Sequence, residues 1–154
     1  MRPCSSPSGR VTSVPAEPSG ELARNKAVVL RIYDEVLNRR FLHVVPELFG
    51  LAVVDHCRYP GAGAGLENII EGARLRRSAF PDLTFSVDDL VAEREMVTAR
   101  WVMRGTHQGE FMGCVPTGRA VEWRGITQFR LHNGRVVERW LYSDDADLIR
   151  QLSE

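Results

Sequence analysis

The residue best suited to acid–base chemistry is Asp144, which follows Trp140 and Tyr142 near the end of a predicted strand. Side chains alternate along a strand, so these three residues are expected on one face. A cavity behind that strand would set the carboxylate beside two aromatic rings. Apolar surroundings disfavour a charged carboxylate and favour proton uptake, as a general base requires. The alternative is that Asp144, with Asp145 and Asp147, caps the final helix.

The preceding strand carries polar side chains that suit stabilisation of negative charge. Period two places Gln128 and Arg130 on one face with Arg124 and Ile126. If that face lines a cavity, Gln128 and Arg130 donate hydrogen bonds to a carbonyl oxygen that becomes an enolate or alkoxide. The alternative is an outward polar face, which we favour for Arg124, whereas both orientations stay open for Arg130.

Two histidines are further candidates for contact with a ligand. His107 lies in the loop-like stretch 105–109 at a strand end, where a neutral imidazole would meet a ligand carbonyl; a structural or solvated histidine is the alternative. His56 follows a predicted short strand at 53–54. The four histidines, at positions 43, 56, 107 and 132, show no metal-ligand spacing, so no metal site is predicted.

Motifs for bound cofactors are missing from the sequence. It contains no dinucleotide fingerprint, no P-loop motif and no nucleophile-elbow serine motif, which argues against hydride transfer, phosphoryl transfer and serine hydrolysis. No cofactor is predicted. The glycines at 61, 63 and 65 follow a proline without the strand-turn-helix arrangement of a phosphate loop, and we interpret them as a flexible lid or hinge.

The composition indicates one globular domain. The chain has 154 residues, of which 44% are hydrophobic, enough for a single core. Its 20 basic and 20 acidic residues give no net field to attract nucleic acid or an anionic membrane, so neither partner is predicted. No apolar run approaches the roughly 20 residues of a membrane span, and the three cysteines form no disulfide framework, so a reducing cytoplasmic location is expected.

The pattern of elements predicts an α+β domain. Residues 1–20, rich in proline and serine, are expected to be a disordered tail, and the domain spans 21–154. Three helical patterns precede four long strands, and Arg74, Arg76 and Arg77 are expected mostly toward solvent. Helices are predicted at about 21–40, 46–49, 66–79 and 146–152, with long strands at 83–91, 96–105, 122–131 and 135–142 and a tight turn at Asn133-Gly134.

Aromatic residues in the strands are candidates for lining a pocket. Three tryptophans and a methionine in the sheet suit a flat polycyclic ligand, which gains from burial and from ring stacking. Strand parity allows only some of them to point inward, and most are core residues by default. The candidates are Trp101, Met103, Trp123, Phe129, Trp140 and Tyr142.

Four signatures occur in order along the chain: Phe80-Pro81-Asp82-Leu83, the stretch 105–111, Pro116-Thr117-Gly118, and Trp140 followed by Asp144. Their order and spacing resemble the SnoaL-like polyketide cyclases of the NTF2-like superfamily, over roughly residues 25–152. The resemblance implies a cone: a curved antiparallel sheet wrapped on N-terminal helices and enclosing a pocket. Arg94 departs from it, because members usually place glycine in that hairpin turn, and implies a different turn geometry.

The resemblance also implies a function. It assigns general acid and base catalysis to Asp144, with Asp145 as the fallback if the register slips by one. It also implies hydrogen-bonding side chains along the strand of Gln128 and Arg130, and a histidine at the pocket mouth, here His56. The implied activity is a cofactor-free cyclase that closes a ring of an aromatic polyketide ester by intramolecular aldol condensation.

The implied partners are a small hydrophobic or polycyclic aromatic substrate and further copies of the chain, as a homodimer or homotetramer. Arginines at 100, 104 and 124 are expected on the exposed sheet face that would form the dimer interface. The alternatives are a hydroxylase component, an isomerase, an epoxide hydrolase, or a non-catalytic small-molecule-binding domain.

Overall fold

The computed structural model describes residues 19–57 and 63–154. Residues 1–18 of the expected disordered tail lie outside this part, as do positions 61 and 62 of the expected glycine-rich lid. Within the described ranges, no helix is both long and apolar enough to cross a bilayer.

Four α-helices form in residues 19–57 and 63–154, and their bounds refine the sequence-based expectation. Helix α1 covers Ser19–Arg31 and continues as a π-helical segment, Ile32–Asn38, which together match the first predicted helix. A 3-10 turn at Leu42–Val44 leads into the short α2. That helix stops at Leu48, one residue before the expected end at 49, because Phe49 already belongs to a strand. Helix α2 covers Val45–Leu48, α3 covers Leu66–Ala79 and α4 covers Asp145–Ser153.

The described part of the chain has five strands, which form one sheet in the order β1-β5-β4-β3-β2. Strand β1 runs parallel to β5, and the other neighbouring strands are antiparallel. The sheet is therefore mixed, whereas a wholly antiparallel sheet was expected. The α+β class is confirmed. The bounds are Phe49–Asp55 for β1, Thr84–Glu93 for β2, Met96–Thr106 for β3, Ala120–His132 for β4 and Arg135–Ser143 for β5.

The sheet has an inner face against the helices and an outer face without a helical cover in the described chain. Along β4, Thr127 and Phe129 are buried on the inner face, while Gln128 is exposed on the outer face. This alternation follows from the two-residue period of a strand. The core therefore lies between the inner face and the helices, where Trp101 of β3 is 1% exposed.

One close contact lies within the sheet, and a second joins the sheet to the helical layer. Trp101 lies over Gly125 of β4, where an added Cβ would come within 2.3 Å of the indole. Asn38, at the end of the π-helical segment, donates to the carbonyl of Phe85 and accepts from its amide, at 3.0 and 2.7 Å. The Asn38 side chain thus joins the helical layer to β2 and pairs with the Phe85 backbone through both a donor and an acceptor, as a neighbouring strand does.

The hairpin turns use left-handed residues. Asn133 and Gly134 have φ of 49° and 74°, which confirms the predicted tight turn. Arg94, in the β2–β3 turn, has φ of 54° and so takes the left-handed conformation that glycine adopts most easily. Arg94 therefore adopts the left-handed conformation that a glycine would take in this turn, and the different turn geometry expected from the arginine is not found.

Candidate functional site

Three of the sequence-predicted site residues come together on the outer face of the sheet, away from the helices. Gln128 pairs with Trp140 across β4 and β5, and Arg130 pairs with Glu138. The Arg130 guanidinium lies 5.6 Å from the centre of the Trp140 ring and donates to Glu138 at 3.0 Å. The period-two grouping is correct, and of the two orientations that the sequence left open the structure has the outward polar face.

His56 joins the same outer cluster. Its ring stacks on Trp140 with a 4.9 Å centroid separation and a 7° interplanar angle, and its Nε2 lies 2.9 Å from the Glu138 carboxylate. Hydrogen bonds from His56 and Arg130 hold the pKa of Glu138 below its ordinary value. His56 is thus at the end of β1 as expected, on a half-exposed polar and aromatic surface.

Asp144 occupies the N-cap of α4, where its Oδ1 accepts a hydrogen bond from the Asp147 amide at 3.1 Å. Both Asp144 and Tyr142 are exposed, Tyr142 to 69%. The apolar surroundings expected for Asp144 are not found. The arrangement is the capping alternative that the sequence left open.

His107 is fully buried, beside Thr117 and Phe80. Its Nδ1 accepts from the Thr117 amide at 3.3 Å and lies 3.1 Å from the Thr117 hydroxyl, while its ring packs 5.4 Å from that of Phe80. Close by, Asp82 accepts from the amide and the hydroxyl of Thr106, both at 2.7 Å, which lowers its pKa. Three of the four sequence signatures therefore meet at one corner, where they join α3 to the β3–β4 connection.

Trp101 is also a core residue. Its indole donates to the Thr127 hydroxyl at 2.9 Å and packs edge-on against Trp123 at 5.7 Å. Tyr33 of the π-helical segment is also buried, and burial raises its pKa to about 12. Two of the aromatic candidates for a pocket, Trp123 and Tyr142, line a large cavity.

That cavity has a volume of about 940 Å³ and lies between α3, the β3–β4 connection and the ends of β4 and β5. Its size lies in the range of small-molecule sites. Apolar side chains and a few polar groups share its wall. The lining residues are Cys57, Leu75, Arg76, Glu110, Phe111, Met112, Gly113, Trp123, Leu141, Tyr142, Ser143 and Asp145.

Asp145 supplies the carboxylate of this cavity. Its Oδ1 accepts from the Ser143 hydroxyl at 2.6 Å and from the Trp123 indole at 3.2 Å. Its Oδ2 accepts no hydrogen bond from the part of the chain that the structure describes. Asp145 is also the first residue of α4, whose N-terminal amides favour a negative charge. The two donors orient the carboxylate and leave one oxygen open to a ligand.

Arg76 supplies the positive charge of the cavity. It is 4% exposed, donates to the Gly72 carbonyl one turn earlier at 3.1 Å, and lies 5.7 Å from the centre of the Trp123 ring. The expectation that Arg76 faces solvent was wrong. Helical spacing held the missed signal, because Ile69, Ala73 and Arg76 follow the i, i+4, i+7 pattern of a single buried face.

The fold and the family can be judged against known proteins now that this geometry is defined. Residues 27–152 match the SnoaL-like polyketide cyclase family. The chain belongs to this family. A comparison with curated proteins gives no significant match.

Solved structures agree with this membership of the SnoaL-like family. A candidate SnoaL-like polyketide cyclase from Jannaschia sp. CCS1 superposes with a TM-score of 0.80 at 24% identity, over 89% of this chain and 96% of that one. IdmH, a candidate polyketide cyclase from Streptomyces antibioticus, gives 0.73 at 31% identity, over 84% and 99%. AclR, a candidate hydroxylase from Streptomyces galilaeus, gives 0.74 at 30% identity, over 86% and 97%. The predicted SnoaL-like fold is confirmed.

A buried polar cluster borders the cavity of this SnoaL-like chain and was not predicted. Arg139, on the inner face of β5, donates to both oxygens of Asp55 at 3.1 and 2.5 Å, and Asn68 of α3 donates to the same carboxylate at 2.6 Å. The Cys57 amide also donates to Asp55, and its carbonyl accepts from Asn68. The cluster fixes the end of β1 and sets Cys57 in the cavity wall. Within residues 19–57 and 63–154, no group of three or more possible metal ligands occurs.

Proposed function

We propose that the chain is a cofactor-free polyketide cyclase in which Asp145, rather than Asp144, is the general acid and base. One observation carries this proposal: the Asp145 carboxylate lies in the wall of the large cavity with one oxygen open, whereas Asp144 caps α4 at the surface. Membership of the SnoaL-like family supports a polyketide substrate. The substrate class we propose is an aromatic polyketide ester with an acidic carbon next to a carbonyl.

The reaction needs one proton acceptor and one site for negative charge. Asp145 Oδ2 takes the proton from the carbon between an ester carbonyl and an aromatic ketone, and the resulting enolate carbon attacks a second carbonyl of the same molecule. The protonated Asp145 then gives its proton to the new alkoxide, so the ring closes without loss of atoms. Confinement in the cavity lowers the barrier by holding the two reacting carbons together.

Arg76 is the residue that we propose for stabilising the enolate and alkoxide oxygens. Its guanidinium is buried in the same wall, across the Trp123 indole from Asp145. A positive charge in a site shielded from water stabilises developing negative charge far more than it would in solution. The sequence suggested Gln128 with Arg130 or His107 for this role. Gln128 and Arg130 lie on the outer face of the sheet, and His107 is buried where α3 meets the β3–β4 connection.

Adjacent aspartates allow a matched test. Asn is as good an N-cap as Asp, so Asp144→Asn should keep α4 and activity, while Asp145→Asn should remove the base and lower turnover by about 100-fold or more. The purified proteins are incubated with anthraquinone and linear polyketide methyl esters, and ring closure is followed by absorbance and mass. Loss of conversion with Asp144→Asn and its retention with Asp145→Asn would refute the assignment.

A second candidate function is hydroxylation of a related polyketide. The observation that favours it is the 30% identity with AclR, which is described as a candidate hydroxylase. The same substrate panel separates the two, because cyclisation leaves the mass unchanged and hydroxylation adds one oxygen. Saturable binding without conversion would instead identify a binding domain.

We also propose that the outer sheet face pairs two copies of the chain. Arg100, Arg124 and Ile126 lie on this face, with acidic partners such as Asp88 and Glu122 beside the arginines. A balanced charge pattern with exposed apolar groups lets the same surface meet itself across a two-fold axis. Light scattering should give twice the chain mass, and Ile126→Glu should give a monomer. A monomeric parent protein would contradict this proposal.

A further inference from the structure

The connection between β3 and β4 forms one wall of the cavity. The two strands pair as far as Thr106 and Ala120, so residues 107–119, called the rim loop below, leave the sheet and fold over its inner side. Four of the cavity-lining residues belong to this loop, at positions 110–113. Any ligand in the cavity therefore meets the rim loop on one side.

The base of the rim loop is held firmly. The amides of Gln108 and Gly109 donate to the carbonyl of Ala79 at the end of α3, at 2.8 and 3.1 Å. Gly109 approaches α3 so closely that an added Cβ would lie 2.5 Å from the Ser78 carbonyl oxygen. His107 closes the loop by bonding Thr117. The loop is therefore attached to the scaffold at its base.

The tip of the rim loop is a tight turn. Phe111 and Cys114 exchange backbone hydrogen bonds of 3.1 and 2.9 Å, and the two residues between them have φ of 51° at Met112 and 77° at Gly113. Two consecutive positive φ values define a type I′ turn. The Phe111 ring packs edge-on against those of Phe80 and Trp123, which fixes one side of the tip.

Met112 stands out among the residues of the tip. It lines the cavity, is 45% exposed, and takes a left-handed conformation that costs an L-residue more than it costs glycine. Phe111 is held by packing and Gly113 has no side chain. The unbranched thioether of Met112 adapts to ligands of different shape.

We propose that Met112 is the specificity-determining residue of the cavity and sets the width of the polycyclic ligand that it admits. The proposal rests on the proposed function only in taking this cavity as the ligand site. A long flexible side chain at a fixed turn narrows the opening for broad ring systems and packs against narrow ones. Shortening it favours broader ligands, and replacing it with a rigid ring favours narrower ones.

Binding without turnover tests this role. Hydroxylated naphthoquinone, anthraquinone and naphthacenequinone provide probes of two, three and four fused rings, and their binding is followed by quenching of tryptophan fluorescence. Relative to the parent protein, Met112→Ala should raise the affinity for the four-ring probe over the two-ring probe by about 10-fold, and Met112→Phe should shift the ratio in the opposite direction. Val115→Ala is the matched control, because Val115 is 72% exposed on the same loop and does not line the cavity.

A second variant separates selectivity from folding. Met112→Gly removes the side chain and relieves the left-handed strain, so it should melt no lower than the parent protein and still shift the ratio as Met112→Ala does. Equal ratios in the parent, the Met112 variants and Val115→Ala would overturn the proposal. So would the absence of saturable binding by all three probes. A changed ratio with full turnover in Asp145→Asn would support the role of Met112 while refuting the proposed base.

Discussion

The buried ion pair of Asp55 and Arg139 gives the sharpest prediction about stability. The Asp55 carboxylate accepts from Arg139 twice, from Asn68 and from the Cys57 amide. Its side chain is 2% exposed and that of Arg139 is 9% exposed. Asp55→Asn keeps the shape but removes the charge, which leaves a buried guanidinium facing a neutral group.

The size of the effect follows from burial. Breaking a buried pair by neutralising one partner costs about 3–5 kcal/mol, out of a total of about 5–15 kcal/mol for a domain. With a urea dependence of about 2 kcal/mol per molar, Asp55→Asn should lower the unfolding midpoint by about 2 M. The double variant Asp55→Leu/Arg139→Met removes both charges and should be more stable than either single variant, because apolar residues of similar volume often replace a buried pair at little cost.

Urea unfolding followed by tryptophan fluorescence measures the parent, Asp55→Asn, the single variants Asp55→Leu and Arg139→Met, their double variant and a surface control. Glu95→Gln is the surface control, because Glu95 and Arg130 form a pair at 3.1 Å with side chains 47% and 41% exposed. Such a pair contributes about 0–1 kcal/mol. If Asp55→Asn costs no more than Glu95→Gln, or if the double variant loses the sum of the single losses, the reasoning about burial is refuted.

Three further perturbations test the fold. Gly125→Ala would put a Cβ 2.3 Å from Trp101 and should lower the free energy of unfolding, measured by thermal denaturation, by about 1–3 kcal/mol. Gly50→Ala is the control and should cost less, because its nearest contacts are at 3.7 Å. Equal losses in the two variants would contradict the close packing at Gly125. Burial raises the pKa of Tyr33 from 10.0 to about 12, so about 3 kcal/mol of stability is present below pH 10 and lost as the pH rises to 12. Tyr33→Phe should remove that loss from urea unfolding curves, and an unchanged alkaline slope would count against it. The pKa of Asp82 is lowered mainly by the Thr106 amide, so its stabilisation is present above pH 4 and lost on acidification; Asp82→Asn should make stability less dependent on pH between 2 and 4.

Much of the fold could be predicted because it depends on local patterns. The π-helical segment does not disturb the apolar period of the first helix, and the Asn133-Gly134 turn needs only residues that tolerate positive φ. The parallel pairing of β1 could not be predicted, since it joins residues more than 80 positions apart. Pairing between distant strands leaves no periodic signal in either of them.

The orientation of β5 could not be predicted from the polarity of its side chains. Polarity would place the aromatic residues on the inner face and the polar residues on the outer face, and the structure has the opposite. Aromatic Trp140 and Tyr142 lie on the outer face, while Arg139 and Ser143 lie on the inner side. An arginine is buried only when a partner compensates its charge, and that partner, Asp55, comes from a strand 84 residues earlier. The ion pair with Asp55 thus accompanies an inner face of β5 that polarity does not indicate, whereas the polar side chains of β4, such as Gln128, lie on its outer face as polarity indicates.

The junction between β5 and α4 explains why the proposed base is Asp145 and not Asp144. Up to Ser143 the chain alternates faces as a strand, and at Asp145 it begins a helix. The residue between them, Asp144, binds the Asp147 amide and thereby sets the direction in which α4 starts. That direction brings Asp145 against Ser143 and Trp123. Two adjacent carboxylates can therefore have different roles where a strand leads into a capped helix. Asp144 caps α4 and orients it, and α4 places Asp145, the proposed base, in the cavity wall.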